Sequence, residues 1–116
     1  MTPSPPHLRS IHERMDALRK RLGSFQYVCS GTLQRRWMTC GRHYCNCKKD
    51  ERLRHGPYYY WSHLKAGKLI TQLVPSAQVQ IVKQAIANYK AIKHILRLWE
   101  RQTIKVLQTS KDAARR

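Results

Sequence analysis

The run Cys40-Gly41-Arg42-His43-Tyr44-Cys45-Asn46-Cys47, completed by His55-Gly56-Pro57-Tyr58-Tyr59-Tyr60-Trp61, decides how the chain folds. Its cysteine pattern is Cys40-x4-Cys45-x-Cys47-x7-His55. Residues 39–57 follow neither helical nor strand periodicity. They are rich in Cys, Gly, Lys and Arg, so something other than an apolar core must order them. Zinc takes four tetrahedral ligands from thiolate and imidazole, and short loops deliver them. Cys40, Cys45, Cys47 and His55 stand at such spacings, which reads as one Zn2+ per chain. Gly41 relaxes the backbone beside the first ligand, and Gly56-Pro57 fixes the exit behind the histidine. Two residues rival His55 for the fourth position. Cys29 lies eleven positions before Cys40, and His43 lies inside the loop. Four cysteines also permit a disulfide framework. Against it, Cys45 and Cys47 are too close to bridge without strain, and the Pro-rich N-terminus is not a secretory signal. A site closed by four protein ligands is structural, whereas a catalytic zinc keeps a position for water. The loop's acids, Asp50 and Glu51, read as solvated residues in a basic run, and no His-Glu-x-x-His pattern is present. The chain is therefore read as a non-enzyme.

On the C-terminal side of the run, residues 58–74 form a predicted β-hairpin. Tyr58 to Trp61 is strongly β-prone, Lys65-Ala66-Gly67-Lys68 supplies a turn, and Leu69 to Val74 is the return strand. Pro75 ends it, and Ser76 is a natural N-cap. A long helix follows over 77–107, with Val82, Ile86, Tyr89, Leu96, Trp99 and Val106 on one broad face. At 1.5 Å per residue it spans roughly 45 Å. It should project, pack on the first helix, or pair with a second copy as a homodimer. On the N-terminal side, residues 25–38 read as strand-like, broken at Ser30-Gly31, with Thr32 to Met38 a short strand. Before that, Leu8, Ile11, Met15, Leu18 and Leu22 make one apolar stripe, so 7–22 is a helix stopped at Gly23. The expected architecture is α+β: an N-terminal helix, a zinc-stapled β-hairpin centre over 25–74, and a long C-terminal helix. These make one basic domain over 7–108, between a disordered start (1–6) and a basic tail (109–116).

Charge narrows the function. The chain has 116 residues, with 23 Lys and Arg against 6 Asp and Glu, for a net +17. Solubility needs far less, so the excess points to a polyanion, with nucleic acid first. It is spread along the chain: +3 over 9–21, +5 over 35–54, +2 at Lys65 and Lys68, and +7 over 83–116. That favours a basic folded surface over one basic arm. No stretch reaches the roughly 18 apolar residues of a membrane span, and a cytoplasmic location is expected.

The motifs also resemble a known family. Gly31-Thr32-Leu33, Arg36, Cys40-Gly41-Arg42, Cys45-Asn46-Cys47 and His55-Gly56-Pro57-Tyr58-Tyr59-Tyr60 stand in order, followed by Gly67-Lys68, Val74-Pro75 and Asn88-Tyr89-Lys90. This order, over roughly residues 30–98, is similar to a family of short uncharacterised bacterial proteins, a domain of unknown function. Its signature is Cys-Gly-x3-Cys-x-Cys with His-Gly-Pro-Tyr-Tyr. The resemblance implies a metal-binding core in which Cys40, Cys45, Cys47 and His55 match the recurring ligand types. It implies an association with mobile elements, and it brings no established activity. Thr32, where the family has Ser, and the additional Cys29 depart from the pattern.

The binding residues follow from chemistry. Arg35, Arg36, Arg42, Lys48, Lys49, Arg52 and Arg54 around the loop are the first phosphate contacts, with Lys65 at the turn. Lys83, Lys90, Lys93, Arg97 and Arg101 form a second patch on the long helix. In a strand Tyr58 and Tyr60 share one face, Tyr59 and Trp61 the other. Most of these rings are expected to be core. Tyr59 and Trp61 from the strand, with Trp37 and Tyr44 beside the basic loop, are the candidates for stacking on single-stranded bases. Tyr89 and Trp99 are core or dimer contacts. The reading is a small basic zinc protein that binds DNA or RNA, as an accessory of a mobile-element or nucleoprotein complex and its larger protein. An adaptor that uses the long helix to bind a protein is the alternative.

Overall fold

A computed structural model describes residues 6–40, 42 and 44–115, apart from the side chains of Pro6, Cys47, Glu51 and 110–115. The Pro-rich start, His43 and Gly41 lie outside the described residues, as does the side chain of Cys47. The order of elements is helix α1 (Pro6–Leu22), strands β1 (Thr32–Met38), β2 (His55–Lys65) and β3 (Lys68–Val74), and helix α2 (Val79–Arg115). Short 3-10 turns cover Asn46–Lys48, Glu51–Leu53 and Ser76–Gln78. This is the expected α+β order of helix, antiparallel sheet and long helix. The chain divides into two compact units: Tyr27–Ala87, and Met1–Gln26 with Asn88–Arg116.

In the helical unit, α1 buries the stripe that its spacing predicts. Ile11 and Leu18 are buried, and Leu8, Met15 and Leu22 are half-buried. Pro6 opens the helix, where its missing N–H is no loss. The Gly23 amide donates to the Arg19 carbonyl at 3.3 Å and closes it. The partner is the later part of α2. Ile95 is fully buried, Trp99 and Val106 are half-buried, and the Arg19 guanidinium lies 6.0 Å from the Trp99 ring centre. Residues 7–14 meet Lys105, Gln108 and Thr109 around a shallow groove, so the two helices run antiparallel. Leu96 departs from its expected place. With Ile95 at the centre of the buried line, Leu96 turns about 100° away and is 51% exposed.

The sheet unit is a three-stranded antiparallel meander in the order β1-β2-β3. The β2–β3 hairpin turns through Ala66 (φ 51°) and Gly67 (φ 81°) between the paired Lys65 and Lys68. Two successive positive φ values give the type I′ twist that suits a tight hairpin. Directly opposite residues share a sheet face. One face therefore carries Leu33, Arg35, Tyr59, Trp61, His63, Ile70, Gln72 and Val74. It holds the better covered residues: Val74 is buried, and Tyr59, Trp61 and His63 are half-buried. Trp61 stacks on His63 with ring centres 3.7 Å apart, and its Nε1 donates to the Ser30 carbonyl at 2.8 Å. The start of α2 adds buried Val79 and Ala85, and Lys83 Nζ stands 5.2 Å from the Tyr59 ring centre. Residues 25–31 form no strand. The Cys29 amide instead donates to the Ala85 carbonyl at 3.2 Å.

Both ends of α2 differ from the sequence reading. Ser76 does not cap it. The Ser76–Gln78 turn intervenes, with Pro75 at its N-cap position and no side-chain cap bond. At the other end helix continues to Arg115, because 108–115 contain neither Gly nor Pro to stop it.

Candidate metal centre and basic surface

The sheet builds the candidate metal centre by supplying both of its ends. β1 runs out at Met38, and Cys40 follows two residues later. His55 is the first residue of β2 and pairs with Met38. Between Arg36–Tyr58 and Met38–His55 the register shifts, so Gly56 and Pro57 stand against Trp37 alone. This is a bulge on β2, a device that bends a strand and re-aims a neighbouring side chain. Gly56 makes it possible. Its φ is +133°, and a Cβ there would stand 2.8 Å from the Arg36 carbonyl oxygen.

The intervening loop folds on local hydrogen bonds. The Cys45 amide donates to the Arg42 carbonyl at 3.2 Å, and Lys49 N to Asn46 O at 3.0 Å. Asp50 organises the next turn. Its carboxylate accepts the Arg52 amide at 3.0 Å and the Arg52 guanidinium at 3.2 Å. Those bonds from Arg52, backbone first, hold the Asp50 carboxyl below the usual carboxylate range. Asp50 thus has a structural task within the loop.

The outcome is a cluster of three donor groups. The side chains of Cys40, Cys45 and His55 place one ligand atom each, all within 4.8 Å of one another. Cys45 Sγ is 3.2 Å from His55 Nε2. Ligands about 2.3 Å (sulfur) and 2.1 Å (nitrogen) from a tetrahedral zinc are separated by roughly 3.5–3.8 Å. The cluster is therefore of a size that closes on one ion with small adjustments. Both thiols are half-buried and the imidazole is exposed. Cys29 is not in the cluster. It is a half-buried free thiol, and burial pushes it above the usual thiol range. Cys47 lies in the Asn46–Lys48 turn, immediately beyond Cys45.

The predicted cations are all on the surface. Arg35, Arg36, Arg42, Lys48, Lys49, Arg52, Arg54, Lys65, Lys83, Lys90, Lys93, Arg97 and Arg101 are exposed. Three of the arginines are held over aromatic rings. Arg35 lies over Trp37 at 4.7 Å, Arg36 over Tyr60 at 5.2 Å, and Arg42 over Tyr44 at 5.9 Å. These are cation–π distances. Trp37 and Tyr44 are 46% and 71% exposed, so each pair presents a ring and a cation together. On α2, Lys93 sits 4.9 Å from the Tyr89 ring centre.

The rings of β2 divide as the strand alternation requires. Tyr59 and Trp61 lie on the better covered face, engaged by Lys83 and His63. Tyr58 and Tyr60 lie on the other. Tyr58 was not singled out for binding from the sequence; the signal that marks it is the burial of Val74, which identifies the covered face through the register.

With this geometry in place, comparison with known proteins is informative on one point. The family described as a domain of unknown function (DUF6788) matches residues 8–84. The chain belongs to this family. The matched segment holds α1, the whole sheet, the metal cluster and the start of α2. No curated protein matches, and no solved structure matches. The DUF6788 segment thus contains every residue of the candidate metal centre, while Lys90, Lys93, Arg97 and Arg101 lie beyond it. Among the described residues, no helix is long and apolar enough to cross a membrane.

Proposed function

We propose that this DUF6788 protein is a zinc-stabilised nucleic-acid-binding module. Cys40, Cys45 and His55 supply three ligands, and Cys47 is the fourth candidate by its position in the loop. Two or three thiolates with one imidazole are a donor set that suits zinc. With four protein ligands the ion is structural, and the protein is a binding component rather than an enzyme. It fits an accessory role in a mobile-element or other nucleoprotein complex.

The observation that carries the reading is the set of Arg–aromatic pairs, Arg35–Trp37, Arg36–Tyr60 and Arg42–Tyr44, formed by residues on both sides of the candidate metal cluster. Guanidinium groups held over rings on a strongly basic surface offer both phosphate contact and stacking. The adaptor alternative draws on Leu96, Ile104 and Leu107, which α2 leaves exposed.

Two measurements test the proposal on the intact chain. Metal analysis should return one zinc per chain, and Cys45→Ser should lose it. Affinity for nucleic acid should fall steeply with salt, through counterion release. Arg35→Ala with Arg42→Ala should flatten that dependence by about two phosphate contacts. A zinc-free wild-type protein refutes the metal reading. A pure protein that shifts neither DNA nor RNA refutes the binding reading and leaves the adaptor.

A further inference from the structure

The second face of the sheet presents rings and leucines at the surface. It carries Thr32, Gln34 and Arg36 from β1, Tyr58, Tyr60, Ser62 and Leu64 from β2, and Leu69, Thr71 and Leu73 from β3. Tyr58, Leu64, Leu69 and Leu73 are exposed, and Tyr60 is half-buried. A sheet face that only meets water is normally polar, so these rings and leucines call for a partner.

We infer that this face is a stacking platform for single-stranded nucleic acid, with Tyr58, Tyr60 and Arg36 as its anchor. The inference rests on the nucleic-acid reading above and specifies its substrate class. Four features support it. First, Tyr58 and Tyr60 are two residues apart on one strand, about 6.7 Å along it, so their rings serve successive bases. Second, Arg36 is directly opposite Tyr58 and lies over Tyr60. The Tyr60 hydroxyl is tied to Met38 Sδ at 3.2 Å, and the Arg36 guanidinium bonds the Gln34 side chain. Ring and guanidinium are therefore held in place before any ligand arrives. Third, a row of hydroxyls crosses all three strands beside the rings. Thr32 pairs with Ser62 and Ser62 with Thr71, and the Ser62 and Thr71 hydroxyls are 2.8 Å apart. With Gln34 opposite Tyr60, they offer donors and acceptors to base edges. Fourth, the charge suits a polyanion: β1, β2 and β3 contain no acidic residue, and the face ends near Lys65 and Lys68 on one side and Arg54 on the other.

These features select single strands over duplex. In a duplex both planes of each base are already stacked, so rings on a flat sheet have nothing to cover. In a single strand the bases can splay out and lie on tyrosine or on a guanidinium plane. Because every base has such a plane, weak sequence preference is expected.

The test uses fluorescence anisotropy of the full-length, metal-loaded protein with oligo(dT), oligo(U) and a mixed-sequence duplex of equal length at one salt concentration. Single strands should bind more tightly than the duplex. Tyr58→Leu and Tyr60→Leu should each weaken single-strand binding about five-fold or more. Tyr58→Phe should retain it, because the phenyl ring stacks while leucine only fills space. Zinc content and circular dichroism of each variant establish that it is folded, and Tyr58→Leu, at an exposed site, decides the matter if Tyr60→Leu is unfolded. Equal or tighter duplex binding overturns the inference and leaves the nucleic-acid reading intact. So does a folded Tyr58→Leu variant that binds single strands like wild type. A protein that binds none of the three probes overturns both. If the face instead pairs with a second copy of the chain, Leu69→Glu converts a dimer to monomer without moving single-strand affinity, and that result also overturns it.

Discussion

Gly56 shows how one residue joins fold to site. It stands between His55, which ends in the metal cluster, and Pro57, which opens the tyrosine run. Its φ of +133° lies where L side chains are strained, and the Arg36 carbonyl occupies the space a Cβ would need. Gly56→Ala must either shift the bulge or push β1 and β2 apart, and each movement displaces His55 from Cys45. Strain of this kind costs about 2 kcal/mol. Because metal binding and folding are coupled, it should appear as roughly a thirty-fold loss of metal affinity in chelator competition. A Gly56→Ala protein that holds its metal as tightly as wild type would show that the bulge does not aim the histidine. Asp50 gives the contrasting case. Its lowered pKa reflects Arg52 alone, so it shapes a turn of the loop and adds no ligand to the cluster.

At the scale of elements, what the sequence made legible depends on how local the cause is. The five apolar positions of α1 repeat at three and four, and all five are buried or half-buried, since one packed helix face needs nothing beyond period. The hairpin was equally readable, because Lys65-Ala66-Gly67-Lys68 is a local turn signal. Cys40, Cys45 and His55 were legible as donors at ligand spacing. The beginning of β2 was not legible at Tyr58, because Gly56-Pro57 has no strand propensity and the ladder passes it only as a bulge. Nor were the Arg–aromatic pairs. Arg36 reaches Tyr60 through the β1–β2 register, which sequence spacing does not encode. The hairpin also contains a local imperfection. Ala66 takes φ 51°, a region where its Cβ is unfavourable and where Asn is at home. Ala66→Asn should therefore stabilise the protein by about 0.5–1 kcal/mol, visible as a higher urea midpoint at unchanged slope. An unchanged or lower midpoint would mean that the turn relaxes in solution to a form that suits alanine.

For the whole molecule the decisive feature is that two compact units draw on different sources of stability. The helical unit has its own apolar core in Ile11, Leu18 and Ile95, assembled from two helices whose hydrogen bonds are internal. Among the described residues the sheet unit also buries three, Val74, Val79 and Ala85, and these are smaller side chains than the Ile and Leu of the helical unit. Its loop from Thr39 to Arg54 contains two short 3-10 turns in place of longer elements. A net charge of +17 adds repulsion that both units must overcome. Removing the metal should then act unevenly. On the proposed metal reading, a chelator takes away the tie between Cys40, Cys45 and His55 and releases the His55 end of β2, while the loop keeps its turn hydrogen bonds. Hydrogen exchange of the full chain should show protection lost over residues 40–60, while α1 and the 92–106 stretch of α2 stay protected. Lower pH should act in the same direction, because protonated thiols and imidazolium do not bind metal. The helical signal in circular dichroism should persist through both treatments. Loss of protection in both units together would show instead that they fold as one cooperative body, with the metal holding all of it. A chelated protein that keeps full protection in the loop would show that the cluster is held by the fold and needs no ion.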